Sequence, residues 1–135
     1  MKIPISVLVV IYTAKREVLL LERADHPGYW QSVTGSLDSM DETLIAAAAR
    51  ELFEETGIKA EELPAGSLVS MQHSVEYEIY PQWRHRYPPG VTQNKEHWFK
   101  VCLPDRIDIH LAEREHLAYR WESIELASEL CFSPV

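Results

Sequence analysis

Residues 3–12 (Ile-Pro-Ile-Ser-Val-Leu-Val-Val-Ile-Tyr) are apolar at almost every position and dense in β-branched side chains, which predicts a strand buried on both faces. A polar turn at 13–17 leads into Val18-Leu-Leu-Leu-Glu-Arg23, a second strand, and the loop chemistry of Asp25-His-Pro-Gly28 leads into a short strand over 29–35. The period then changes. Ser39 with Glu42 three residues on is a capping-box pattern, an alanine-rich segment follows, and Gly57 stands where a left-handed C-cap is usual, so a helix is predicted between them. Residues 59–64 form a polar connection. Residues 67–80 alternate as a long strand or hairpin that ends at Pro81, and the stretch 84–90 reads as a loop closed by Pro88-Pro89-Gly90. Strands are predicted again at 96–103 and 116–121, around a polar stretch at 105–115, with a short helix at 122–130. The order makes a mixed α/β (α+β) chain.

The helix carries a conflict. Residues three and four apart share a helix face, so Glu51, Glu54 and Glu55 form one carboxylate cluster, set at the C-terminal end of the dipole where cations are favoured. A divalent cation resolves it, because carboxylates are natural ligands of Mg2+ or Mn2+ together with waters and substrate phosphates. A solvated acidic face is the usual reading of a lone Glu-Glu pair. Here the glycine loop, the Arg50-Glu51 pair and the closing Gly57-Ile58 all fall in the same short span.

Composition narrows the setting. The 135 residues, 46% hydrophobic, suit one domain over 1–135 with a real core, and no run approaches the ~20 apolar residues of a membrane span. Met1-Lys2-Ile3-Pro4 enters the first strand without a cleavage-site pattern, so no signal peptide is expected. Two cysteines, Cys102 and Cys131, make no framework and suggest a reducing cytoplasm. A net charge of −8 argues against nucleic-acid binding and requires that a polyanionic ligand find local cations. The six histidines show no ligand spacing such as His-Glu-X-X-His, so none is assigned to a metal. Oligomeric state is left open.

Residues 35–58 resemble the Nudix box: Gly, five residues, Glu, seven residues, Arg-Glu-aliphatic-X-Glu-Glu-X-Gly-aliphatic. From Glu42 through Arg50, Glu51, Leu52, Glu54, Glu55, Gly57 and Ile58 the match is complete. Upstream, six residues rather than five separate Gly35 from Glu42, a one-residue insertion in the loop 38–41. Asp41 keeps the standard spacing from Gly35, but Glu42 keeps the spacing to Arg50 across a helix that cannot absorb a slip, and is the better match. The resemblance implies a Nudix fold, a mixed sheet sandwiched between helices. It also implies metal-dependent hydrolysis of a small organic triphosphate, with Glu51 and Glu55 as metal ligands, Glu54 catalytic and Arg50 orienting the glutamates.

Four further segments are similar to one branch of that family, the dihydroneopterin triphosphate pyrophosphatases of folate synthesis: Trp30-Gln-Ser-Val-Thr-Gly-Ser36, Arg84-His-Arg-Tyr-Pro-Pro-Gly-Val-Thr92, Glu96-His-Trp-Phe99 and Glu115-His-Leu-Ala-Tyr-Arg-Trp121. By composition alone Glu115 is a surface carboxylate; the resemblance makes it a metal ligand or general base, in preference to Glu113. Lys2 and Arg23 match phosphate-holding positions, and Thr34 could present its hydroxyl or backbone to the ligand. Tyr77, Glu78, Ile79 and Tyr80 resemble a substrate-contacting stretch, with Glu78 receiving ring N–H groups. Trp30 and Trp83 are further aromatic candidates, and Arg84 and Arg86 are left between phosphate contact and solvation. The expected reaction is Mg2+-dependent hydrolysis of 7,8-dihydroneopterin triphosphate to dihydroneopterin monophosphate and pyrophosphate. Two alternatives stand beside it: a MutT-like hydrolase of dNTPs or oxidised purine nucleotides, and a Nudix module that senses nucleotides without cleaving them. Sensing modules usually lack box glutamates, and this box keeps all of them. Relatives of the branch continue into a longer C-terminal helix where this sequence stops, at Cys131-Phe-Ser-Pro-Val135.

Overall fold

A computed structural model describes residues 1–131; residues 132–135 lie outside it. Seven strands and two helices follow one another as β1 (Ile5–Thr13), β2 (Glu17–Arg23), β3 (Trp30–Gln31), β4 (Val33–Ser36), α1 (Leu44–Thr56), β5 (Leu68–Glu78), β6 (Gln93–Leu103), β7 (His116–Ser123) and α2 (Ile124–Leu130). The seven strands form one mixed sheet ordered β3-β2-β1-β6-β5, with β4 also on β1 and β7 also on β2. β1 is its centre. It runs parallel to β6 from Ile5 opposite Lys95 to Thr13 opposite Leu103, and antiparallel to β4 and β2.

The near-continuous apolar run of β1 arises because the sheet is covered on both sides. Val7, Val9 and Ile11 join Leu19, Leu21, Val33, Phe99 and Val101 against Ala47, Ala48 and Leu52 of α1. The alternate positions Val10 and Tyr12 pack with Val18 and Leu20 beneath Ala127 of α2. The expected strand over 29–35 is two strands. Gln31 pairs with Leu21 of β2 and Thr34 with Leu8 of β1, so the chain breaks at Ser32 as it steps from one partner to the other. The 67–80 alternation resolves as one long edge strand, β5, with a register shift between Ser70 and Ser74 rather than a hairpin turn. A helical turn at Pro81–Arg86 takes up the start of the expected 84–90 loop.

The helix ends differ in how they were expected to form. Gly57 adopts φ 81° and donates its N–H to Phe53 O, the left-handed cap the sequence implied. The Ser39–Glu42 capping box does not form. Thr43 is the cap, its side chain accepting from Ala46 N at 3.2 Å, and α1 starts one residue later. Glu42 is held elsewhere, by Arg50.

Candidate active site

Arg50, midway along α1, gathers the loop before the helix onto the helix itself. Its Nε and Nη2 donate to the two oxygens of Glu42 at 2.8 and 2.9 Å, Nη2 also donates to Ser36 O at 3.0 Å, and Nε lies 3.1 Å from Asp38. Glu42 Oε1 in turn accepts from Asp38 N at 2.8 Å. The fork lowers the Glu42 pKa and raises that of Arg50. Glu42, the residue whose spacing to Arg50 the insertion left intact, is thus the one Arg50 binds. The third arm, Nη1, donates to Glu51 at 2.7 Å and Glu54 at 3.3 Å, which sets the direction of both carboxylates.

The three glutamates of α1 do not stand equal. Glu54 is half exposed, whereas Glu51 and Glu55, one turn apart, are buried. Glu55 is only 1% exposed, and neither of its oxygens receives a hydrogen bond among the described residues. Burial, with Glu51 alongside, lifts its pKa well above the usual carboxylate range; burial also raises Glu51. Glu115 reaches the same place from the loop before β7, anchored where its carbonyl accepts from Ala24 N. Glu55, Glu115 and His116 bring one ligand atom each to within 4.8 Å of one another. His116, assigned no metal role from spacing, is buried and held neutral, its pKa lowered to about 4 chiefly by burial. A buried carboxylate that receives no hydrogen bond among the described residues, beside two more carboxylates and a neutral imidazole, has the chemistry of a divalent-cation site. Glu113 does not line this cavity.

The cluster opens into a cavity of about 840 Å3, large enough for a substituted heterocycle with a phosphate chain. Lys2, Arg23 and Arg86 line it together with the glutamates. Arg23 is fixed by a two-pronged pair with Asp25 (2.6 and 2.5 Å), by Gln31 at 3.1 Å, and by lying 4.5 Å over the Trp83 ring. Arg86 shares Asp25 at 3.3 Å. Burial, with Arg86 and Arg23 near, lowers the Lys2 pKa. Of the two arginines the sequence left undecided, Arg86 lines the cavity. Arg84 instead donates to Ile79 O at 2.9 Å, outside it.

Thr34, Tyr77, Ile79 and Tyr80 all line the cavity, and Thr34 Oγ1 donates to Val7 O at 3.1 Å. Glu78 does not. Strand alternation turns it away from Tyr77 and Ile79, and its carboxylate lies in solvent 3.6 Å from Arg84, which corrects the expectation that it receives ring N–H groups. Trp30 is likewise not a ligand platform; it packs under α2 with Arg120 5.1 Å over its ring. Asn94, which the sequence did not single out, and Glu96, which opens one of the branch-like segments without an assigned role, stand in the cavity wall, 1% and 3% exposed. The face they share continues through Trp98, Lys100 and Cys102, so alternation along β6 gave no signal that the two are buried.

The NUDIX domain model matches residues 2–133, and the chain belongs to the Nudix family. Within it, the dihydroneopterin triphosphate diphosphatase of Escherichia coli (strain K12) is 47% identical over 132 residues, covering 96% of this chain and 84% of that protein. The diphosphatase of the same name from Haemophilus influenzae is 44% identical over 126 residues, 93% of this chain and 77% of that protein. The solved structure of the E. coli dihydroneopterin triphosphate pyrophosphohydrolase matches with a TM-score of 0.88 at 47% identity, covering 98% of this chain and 88% of that one.

Proposed function

We infer that this chain is a Nudix hydrolase that cleaves 7,8-dihydroneopterin triphosphate to dihydroneopterin monophosphate and pyrophosphate, with Mg2+ as its cation. The observation that carries this reading is one cavity lined both by the buried glutamates and by Lys2, Arg23 and Arg86. The relatives named above support the substrate.

Glu51, Glu55 and Glu115 would hold the cation. Bound there, it would offset phosphate charge and make water a stronger acid. Lys2 and Arg23 take the phosphate oxygens and stabilise charge as it moves onto the departing group. Arg50 keeps Glu51 and Glu54 aimed inward. Glu115, at the solvent edge, receives the proton of the attacking water on a carboxylate oxygen. The water oxygen bonds to phosphorus as the anhydride between the first and second phosphates breaks. Thr34 and the aromatic wall of Tyr77, Tyr80 and Trp83 place the ring. A small-molecule ligand, one domain over 1–135, a cytoplasmic setting and no nucleic-acid partner complete the reading. Among the described residues no helix is long and apolar enough to cross a membrane.

Pyrophosphate release with Mg2+ tests it, comparing kcat/KM for dihydroneopterin triphosphate, dATP, dGTP and 8-oxo-dGTP. Preference for the pterin is expected. Preference for a nucleotide moves the substrate but keeps the chemistry, and no release from any of them refutes hydrolysis.

A further inference from the structure

Asn94 and Glu96 stand two apart on β6, so their side chains share one face of the sheet, and both line the cavity. Register places Asn94 opposite Tyr77 on one neighbour, and Glu96 opposite Ser6 on the other. Asn94 Nδ2 donates to Ser6 Oγ at 2.7 Å and to Tyr77 OH at 3.1 Å. Both amide protons are thereby engaged, and what Asn94 leaves over is an acceptor. That acceptor, Oδ1, is fully buried and has no hydrogen-bond partner among the described residues. Glu96 Oε1 accepts from Trp98 Nε1 at 3.0 Å, and a carboxylate has room for several further donors. A buried acceptor left unmatched is destabilising, so Asn94 Oδ1, with the spare acceptor capacity of Glu96 beside it in the cavity wall, marks a place where a ligand supplies donors.

From this geometry we propose that Asn94 and Glu96 form a subsite that reads the donor edge of the substrate ring, the adjacent N–H and exocyclic NH2 of a 2-amino-4-oxo-pyrimidine. Dihydropterin and guanine both present that edge. Adenine presents a ring nitrogen acceptor beside its NH2 and leaves one protein acceptor facing another. The inference deepens the function proposed above and rests on it for the identity of the ring. The acidic residue of ring recognition is then Glu96, buried on β6, and not the exposed Glu78 on β5.

The variants are Glu96→Gln, which keeps shape but turns one acceptor into a donor, and Asn94→Leu, which removes the acceptor. Each should lower the preference for dihydroneopterin triphosphate over dATP, measured as a ratio of kcat/KM, by roughly 10- to 100-fold, the loss expected for hydrogen bonds to a charged or buried acceptor. Preference for dGTP over dATP should fall in parallel, with most of the change in KM. An unchanged ratio in folded Glu96→Gln protein, checked by its thermal melt, overturns the subsite while leaving the hydrolase intact. Fluorescence titration with unphosphorylated 7,8-dihydroneopterin, without metal, separates the two readings if the wild type releases no pyrophosphate. Binding that is lost in Glu96→Gln then supports the subsite, and binding that is absent from the wild type or equal in both proteins overturns it.

Discussion

Gly35 lies so close to the carboxylate of Glu51 that a β-carbon at position 35 would overlap both of its oxygens. The glycine at the head of the box is therefore set by a close approach and not by a turn, since Gly35 sits within β4 and pairs there with Val7. Gly35→Ala should push Glu51 out of the cluster. Displacement of a reacting group by about 1 Å commonly lowers rate by ~10²-fold. Loss of pyrophosphate release on that scale, with far-UV circular dichroism unchanged, is expected; activity within a few-fold of wild type would show that Glu51 is not needed where it stands.

Glu42→Ala removes both acceptors of the Arg50 fork and leaves the guanidinium partly buried beside Ser36 O. Charge-assisted bonds of this kind contribute about 1.5–3 kcal/mol each way of counting, and exposure at the rim places the expected loss near the lower end. Chemical denaturation measures it. Asp41→Ala should change stability by less than about 0.5 kcal/mol, as a surface substitution does, and the contrast between the two variants decides which acidic residue fills the box position.

The box was readable because its ligands and its hub lie on one helix, where spacing alone fixes which side chains share a face. The strands of β1, β2, β6 and β7 were readable from their alternation or density. What escaped has a common cause. The start of α1 depends on whether Glu42 caps or pairs with Arg50, and a charged fork outweighs a cap; Thr43 was then free to take the cap. Glu78 and Glu96 look alike in sequence, but one alternates outward on the edge strand β5 and the other inward on β6, next to the central strand. His116 meets Glu55 only because β7 returns beside β2, a pairing far apart in sequence.

Glu55→Gln should abolish turnover yet raise the stability of the metal-free protein. The wild-type carboxylate is buried next to Glu51 and Glu115 and receives no hydrogen bond among the described residues, with only the His116 ring nitrogen 3.3 Å away; a neutral amide removes that repulsion and desolvation cost. Thermal melts with chelator and with Mg2+ separate the effects. The wild type should gain stability on adding Mg2+, by linkage, and the variant should not. A variant that melts lower than the wild type in chelator would mean that the carboxylate is matched by donors in solution.

Asp25 has its pKa lowered to about 2, first by its hydrogen bonds from Arg23. A folded value below the unfolded one of 3.8 means that the pair stabilises the fold at pH above 3.8 and that this is lost as pH falls through about 2. The carboxylate is one-third exposed, so solvent screening keeps the effect to about 1 kcal/mol. The stability difference between wild type and Asp25→Asn, from denaturant curves at successive pH values, should be constant from pH 7 to 5 and shrink below 4. A difference that persists undiminished at pH 2.5 would assign the effect to packing.

Glu115 and Glu113 give the sharpest comparison at the mouth of the cavity, because they are two residues apart and only Glu115 lines it. Glu115→Gln keeps size and hydrogen-bonding shape but can neither hold a cation as a charged ligand nor accept a proton. Its kcat should fall by ~10²–10⁴-fold, the usual worth of a positioned base, with a smaller change in KM. The acidic limb of the pH–rate profile should change with it, whereas Glu113→Gln should leave both rate and profile near wild type. A large rate loss with an unaltered profile, and with Mg2+ affinity reduced, would make Glu115 a ligand only. Equal effects from the two variants would mean that the loop, and not one carboxylate on it, is what the reaction requires.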